Sequence, residues 1–282
     1  MKLADFSGDI VAKINDPLFV TARILGHFQD GNEFCATGFF FNLGEDRPDK
    51  SIRIILVTNK HVFDDAVDAG FTMHGCTPEF PKKPSGQAIF VPINLSKWIF
   101  PHPDPEVDLS ALLIEPLLDN IGMQDQTIFC KAMGRVNVAS DKELLELGPV
   151  EDVIMVGYPN GLWDEINNLP LIRKGVTATH PGIDYRGRPL GLVDMPCIQG
   201  SSGSPILTHP HDRIFYRDDL GASVKGMLLL GVYSHSYAVQ KAVGASNFQV
   251  AGEEIHLHLG HYWKAREILV LVKLVKESIA KS

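Results

Sequence analysis

Short runs of β-branched and aromatic residues alternate with turn residues along most of the chain. Phe19-Val20-Thr21-Ala22-Arg23-Ile24, Ala36-Thr37-Gly38-Phe39-Phe40-Phe41 and Ile52-Arg53-Ile54-Ile55-Leu56-Val57 are three such runs. Others follow at 110–114, 153–157, 174–179 and 227–233. The 25 glycines and 18 prolines are scattered between them rather than clustered. Short strands separated by turns predict an all-β protein. Helix signals are few. Ser140-Asp141-Lys142-Glu143 has the S-x-x-E form of a capping box and precedes Leu144, Leu145 and Leu147, so it predicts a short helix stopped by Gly148-Pro149. Ile268, Leu271, Val272, Val275 and Ile279 fall on one stripe at helical spacing and predict a helix over about 264–280. The expected order is a β unit over 1–118, a connector with a short helix over 119–148, a second β unit over 149–263 and a C-terminal helix over 264–282.

Composition narrows the class. The 282 residues are enough for two units or one large one, and for a full core without staples. Hydrophobic residues make up 45% and charged residues 21%, the balance of a globular domain rather than a disordered or fibrous chain. A net charge of −8 disfavours a nucleic-acid partner. No apolar run reaches the roughly 18 residues of a membrane-spanning helix, and Asp5 and Asp9 stand where a signal peptide has its apolar core. The expectation is a cytoplasmic protein with no membrane partner. Cys35, Cys76, Cys130 and Cys197 lack metal-ligand or disulfide spacing and read as small buried hydrophobes.

The chemistry concentrates in Gly200-Ser201-Ser202-Gly203-Ser204-Pro205, bracketed by the apolar stretches 193–198 and 206–207. Glycines around a serine permit a tight turn and a close approach of substrate to the backbone. Amide groups at such a turn can converge into an oxyanion hole. Two further pieces lie upstream. His61 follows the strand pattern 52–57, and Asp108 starts the strand pattern 109–114; Asp104 is a rival carboxylate. Ser201 and Ser204 rival Ser202, but only Ser202 is followed directly by one glycine and preceded two positions earlier by another.

These pieces together resemble the trypsin-like serine peptidases of the chymotrypsin fold, closest to the bacterial intracellular-type branch. Gly200-Ser201-Ser202-Gly203-Ser204-Pro205 is similar to that family's nucleophile motif, Thr58-Asn59-Lys60-His61 to its histidine motif, and Asp108-Leu109-Ser110-Ala111-Leu112 to its aspartate strand. Thr37-Gly38-Phe39, Val156-Gly157-Tyr158-Pro159 and Gly231-Val232-Tyr233 resemble its flanking strands. The resemblance implies two six-stranded antiparallel β-barrels. It implies a serine endopeptidase with Ser202 as nucleophile, His61 as general base and Asp108 as the carboxylate that orients it. Backbone amides of Gly200 and Ser202 would form the oxyanion hole, and Cys197, Ile198, Tyr233, Ser234 and His235 would line the substrate pocket. No cofactor and no metal are implied; the expected partners are a protein or peptide substrate and an activating protein. Ser201 stands where the digestive members have an aspartate used in zymogen activation, so that route of activation is not expected. Pro196 stands where trypsin has its pocket aspartate, so a preference for Arg or Lys is not implied. The polar stretch 208–225 is longer than usual and reads as a solvated hairpin or a gate.

Three other readings stay open at this level: a catalytically silent binding module of the same fold, a non-peptidase acyl hydrolase, and a metal site at His256, His258 and His261, for which an exposed strand face is the simpler reading.

Overall fold

The computed structural model describes residues 2–3, 17–44, 53–77, 80–120, 127–209, 214–217, 222–225, 227–240 and 254–281. The N-terminal half is a sheet of nine strands: β1 (Lys2–Leu3), β2 (Thr21–Phe28), β3 (Glu33–Asn42), β4 (Ile54–Thr58), β5 (Ala66–Thr77), β6 (Phe80–Pro92), β7 (Ile99–Pro101), β8 (Ser110–Leu113) and β9 (Thr127–Phe129). The order across it is β1-β9-β5-β2-β3-β4-β8-β7, with β6 paired to β5. Nine strands stand where the resemblance implied six. The 66–92 stretch contributes the long antiparallel pair β5 and β6, and β9 and β1 extend the sheet past β5.

Two short helices follow β8 and β9. Helix α1 spans Glu115–Asn120 and α2 spans Asp141–Glu146. The capping box of α2 forms as its sequence predicts: Ser140 Oγ accepts the Glu143 N–H, and the Glu143 carboxylate accepts the Ser140 N–H at 2.7 Å. The C-terminal half is a closed six-stranded barrel. Its strands are β10 (Asp152–Gly157), β11 (Leu171–Thr177), β12 (Leu190–Asp194), β13 (Pro205–Thr208), β16 (Leu229–Gln240) and β17 (Glu254–Lys264), in the closed order β10-β11-β12-β17-β16-β13. Between β13 and β16 the pair β14 (Ile214–Arg217) and β15 (Ala222–Lys225) forms its own two-stranded sheet. The rest of the polar stretch read as a solvated hairpin or a gate, including Asp212, Arg213, Asp218 and Asp219, lies outside the described residues. Helix α3 (Arg266–Lys281) closes the chain, with Ile268, Leu271 and Val275 of its apolar stripe fully buried.

Three apolar clusters hold these parts. One fills the N-terminal sheet around Phe40, Leu56, Phe71 and Leu112. Another fills the barrel around Val153, Met155, Ile206 and Leu230. The third belongs to neither half alone: Phe39, Ile55, Val57 and Leu109 meet Val156, Leu207, Leu229 and Trp263, with Ile268, Leu271 and Val275 of α3 packed against them. Strand β3 is the wall between two of these clusters, since Phe39 and Phe41 face the shared core while Ala36 and Phe40 face the sheet's own. A fully buried side chain of this size contributes about 1.5–3 kcal/mol. The shared core therefore fixes the two halves against each other, and the candidate site lies where they meet.

Candidate active site

Strand β4 ends at Thr58, and a single 3₁₀ turn over Lys60–Val62 carries His61 to the surface. The loop 102–109 brings Asp108 to the same place. His61 N–H donates to Asp108 Oδ1 at 3.1 Å, and His61 Nδ1 lies 2.7 Å from Asp108 Oδ2. Burial pushes the Asp108 carboxyl up, but hydrogen bonds from His61 and Ser234 and the charge of His61 outweigh it and hold the group below its ordinary pKa. An ionised carboxylate only accepts, so Nδ1 carries the proton of this hydrogen bond.

The loop around Asp108 is braced from several sides. Asn59 Nδ2 donates to the Asp108 carbonyl at 2.7 Å, and Lys60 Nζ to the Asp104 carbonyl at 2.7 Å. Arg188 of the barrel donates to the Glu106 carbonyl at 3.0 Å. His102 accepts the Asp104 amide at Nδ1 and sets Nε2 3.3 Å from Glu267 of α3. Asp104 itself accepts the Glu106 amide and makes no bond to His61.

Ser202 comes from the turn between β12 and β13. Gly200 and Gly203 both sit at φ +85°, a region where a side chain is strained. A Cβ at Gly200 would stand 2.5 Å from the Tyr158 carbonyl oxygen, and one at Gly203 would collide with the Thr37 carbonyl oxygen. The turn's amides divide into two sets. Those of Ser201, Gly203 and Ser204 donate to the carbonyls of Ile198, Tyr233 and Ser201. Those of Gly200 and Ser202 donate to no acceptor among the described residues. Ser201 and Ser204 are buried, while Ser202 is half-buried. The Ser202 hydroxyl donates to the Ser234 carbonyl at 2.9 Å, and among the described residues no hydrogen bond joins it to His61.

Two residues of this network have contacts that the sequence does not assign. Thr37 of β3 spans the halves: its amide donates to the Ser202 carbonyl at 2.8 Å and its hydroxyl to the Gly200 carbonyl at 3.0 Å. The same hydroxyl accepts the Tyr158 amide at 3.1 Å, and Thr58 Oγ1 donates to the Thr37 carbonyl at 2.8 Å. Ser234, expected only in the pocket, donates its hydroxyl to Asp108 Oδ2 at 2.6 Å. Both contacts join residues more than a hundred positions apart, which no local pattern reveals.

The expected pocket residues divide as well. Cys197 and Tyr233 are buried against Gly260, and burial pushes the Cys197 thiol up to about 11 and the Tyr233 phenol upward too. Ile198 and His235 reach the surface. Of the three clustered histidines, His261 is buried and stacks on His235, His258 is exposed, and the His256 side chain lies outside what the structure describes. Among the described residues no group of three metal-ligating side chains converges, and no helix is long and apolar enough to cross a membrane.

No protein-family model matches the chain, and no curated protein matches it by sequence. Solved structures do. HL collagenase is similar at a TM-score of 0.50 and 12% identity, over 92% of this chain and 94% of its own. The HtrA-type protease AlgW with a tripeptide reaches 0.46 at 14% identity, and the active form of the Rv3671c protease from M. tuberculosis reaches 0.46 at 15%. They are covered over 60% and 80% of their own lengths, and cover 93% and 90% of this chain. The fold is that of the trypsin-like serine proteases, in its chymotrypsin-like form.

Proposed function

We propose that the chain is a serine endopeptidase. Ser202 is the nucleophile, His61 the general base and Asp108 the carboxylate that fixes the imidazole. The observation that carries this reading is the His61–Asp108 pair facing a serine turn whose Gly200 and Ser202 amides are left without acceptors. In the reaction Ser202 Oγ attacks the substrate carbonyl carbon and passes its proton to His61 Nε2. The oxyanion takes hydrogen bonds from the Gly200 and Ser202 amides. Collapse of the tetrahedral intermediate breaks the C–N bond, and His61 returns the proton to the leaving amine. Water then hydrolyses the acyl-enzyme by the same route.

The edge of β16 favours a peptide over a small ester. Strand β13 pairs with β16 only as far as Val232, and Tyr233 closes onto the serine turn. From Ser234 to Gln240 β16 keeps β17 on one side and, among the described residues, no strand on the other. That open edge starts beside the nucleophile and suits an extended peptide added as a further strand.

The direction of the Ser202 hydroxyl favours a second reading, the silent binding module. Catalytic hydrogen bonds often form only with substrate bound, so this resting direction leaves the first reading standing. Fluorophosphonate labelling with mass mapping tests the choice. The active reading predicts label on Ser202 that is absent in Ser202→Ala; an unlabelled wild type with intact fold sinks it.

A further inference from the structure

Strand β16 leaves the serine turn with His235 exposed and Tyr237 half-buried. Both rings lie against the ring of His261 of β17, tilted to it by 40° and 30°, at centroid distances of 4.4 Å each. Tyr185 completes the group, 6.2 Å from His261 and with its hydroxyl 3.5 Å from that of Tyr237. The result is a platform of imidazole and phenol rings on the open edge, next to Ser234. His261 Nδ1 is buried in it without a hydrogen-bond partner.

One cation overhangs this platform unpaired. Arg186 lies 5.1 Å from the Tyr185 ring centroid, and among the described residues no carboxylate pairs with it. The neighbouring charges are already taken. Arg188 holds Glu106, Asp184 is paired with Lys264 at 2.8 Å and Arg266 at 2.6 Å, and Asp108 is held by His61 and Ser234. Burial foremost, then the nearby cations, pushes both platform histidines below their ordinary pKa, so the positive charge here belongs to the arginine. The backbone at Arg186 is left-handed, at φ 55° and ψ 33°, directly before Gly187. Such a conformation costs a side chain about 1–2 kcal/mol and is the usual place for glycine or asparagine. An arginine at that position is a strained choice, and strain of this kind collects where a side chain has a task.

We propose that the His235–Tyr237–His261 platform and Arg186 form a subsite for an acidic side chain of an extended peptide, on the acyl side of the bond that Ser202 attacks. The location relative to the bond rests on the serine-peptidase reading; the recognition of a carboxylate does not. The ring faces pack the aliphatic stem of a Glu or Asp. The guanidinium donates to its carboxylate, in the charge-assisted manner that gives arginine its selectivity.

The test uses Ser202→Ala, which binds without turnover, and a set of fluorescent decapeptides in which one position at a time is Glu or Gln. Anisotropy titration is expected to find one position at which Glu binds about tenfold tighter than Gln, the scale of one hydrogen bond to a charged group. Arg186→Gly in the same background is expected to erase that ratio while leaving Tm unchanged or raised, because glycine relieves the left-handed backbone. Arg186→Gln, which keeps a polar side chain without the charge, is expected to lose the ratio as well. Equal binding of Glu and Gln at every position overturns the subsite, as does a ratio that survives both substitutions. Fluorophosphonate labelling of the wild type reports separately on the nucleophile. Label on Ser202 without a Glu preference removes the subsite alone. A Glu preference without label keeps the subsite and removes the peptidase reading.

Discussion

The N-terminal sheet and the barrel contribute to the site in different states of readiness. On the sheet side, His61 and Asp108 are joined by two hydrogen bonds, and their loop is tied by Asn59, Lys60, Arg188 and His102. On the barrel side the backbone is equally fixed. Thr37 and two glycines at positive φ leave the turn one geometry, with two amides open. The Ser202 side chain alone points elsewhere, at the Ser234 carbonyl. The His61–Asp108 pair is joined at rest, while the Ser202 hydroxyl is engaged with a carbonyl. Ser234 touches both sides, through its hydroxyl to Asp108 and its carbonyl to Ser202, so the residue that steadies the carboxylate also holds the serine in its resting direction.

Substitutions on the two sides separate these states. Ser202→Ala is expected to have the largest effect, a loss of about 10⁶ in kcat for a peptide substrate, as for removal of a nucleophile that acts as part of a unit. A residual rate near wild type would break the comparison outright. Asp108→Asn is expected to cost about 10⁴ in kcat with little change in KM, because the amide stabilises the wrong imidazole tautomer. Thr37→Ala is expected to lower kcat by about 10²-fold, the scale of one misplaced oxyanion donor. Thr37→Ser keeps the bridging hydroxyl and is expected to recover most of that loss. Equal losses in the two Thr37 variants would mean that the methyl group, not the bridge, matters.

The smallest predicted effect concerns acid. Burial above all, then His235, Arg186 and Arg188, pushes His261 down to about 4, from an ordinary 6.5. The unfolded chain therefore takes that proton at higher pH than the folded one. Stability is full above pH 6.5 and falls as the pH drops from 6.5 towards 4. His261→Gln removes that proton and is expected to flatten the slope of Tm against pH in this window. An unchanged slope would place the acid sensitivity on another group.

The parts of the fold that were legible in the sequence are those set by local rules. The capping box of α2 and the stripe of α3 are satisfied within one or two helical turns, so their residues announce them. Strands β4, β8 and β10 are short, largely apolar buried runs, and β3 carries the apolar run Phe39-Phe40-Phe41. The pair β5 and β6 was not legible. Phe80–Pro92 carries three prolines and a glycine, which read as punctuation, and it is tolerated because, among the described residues, β6 pairs with β5 alone. Strand β9 has three residues and exists only through β5 and β1. The site follows the same rule. His61, Asp108 and the serine turn stand in short motifs, and the structure brings the first two within 2.7 Å. The bridging contacts of Thr37, the hydroxyl contact of Ser234 and the platform under Arg186 arise from long-range packing that no motif encodes.

The central claim is that His61 activates Ser202. The most direct measurement compares the second-order rate of fluorophosphonate attachment in wild type and His61→Ala, with the modified residue mapped in each. Label is expected on Ser202 in the wild type, with a rate lower by at least about 10³-fold in the variant. Equal rates, or label on another residue, would contradict it.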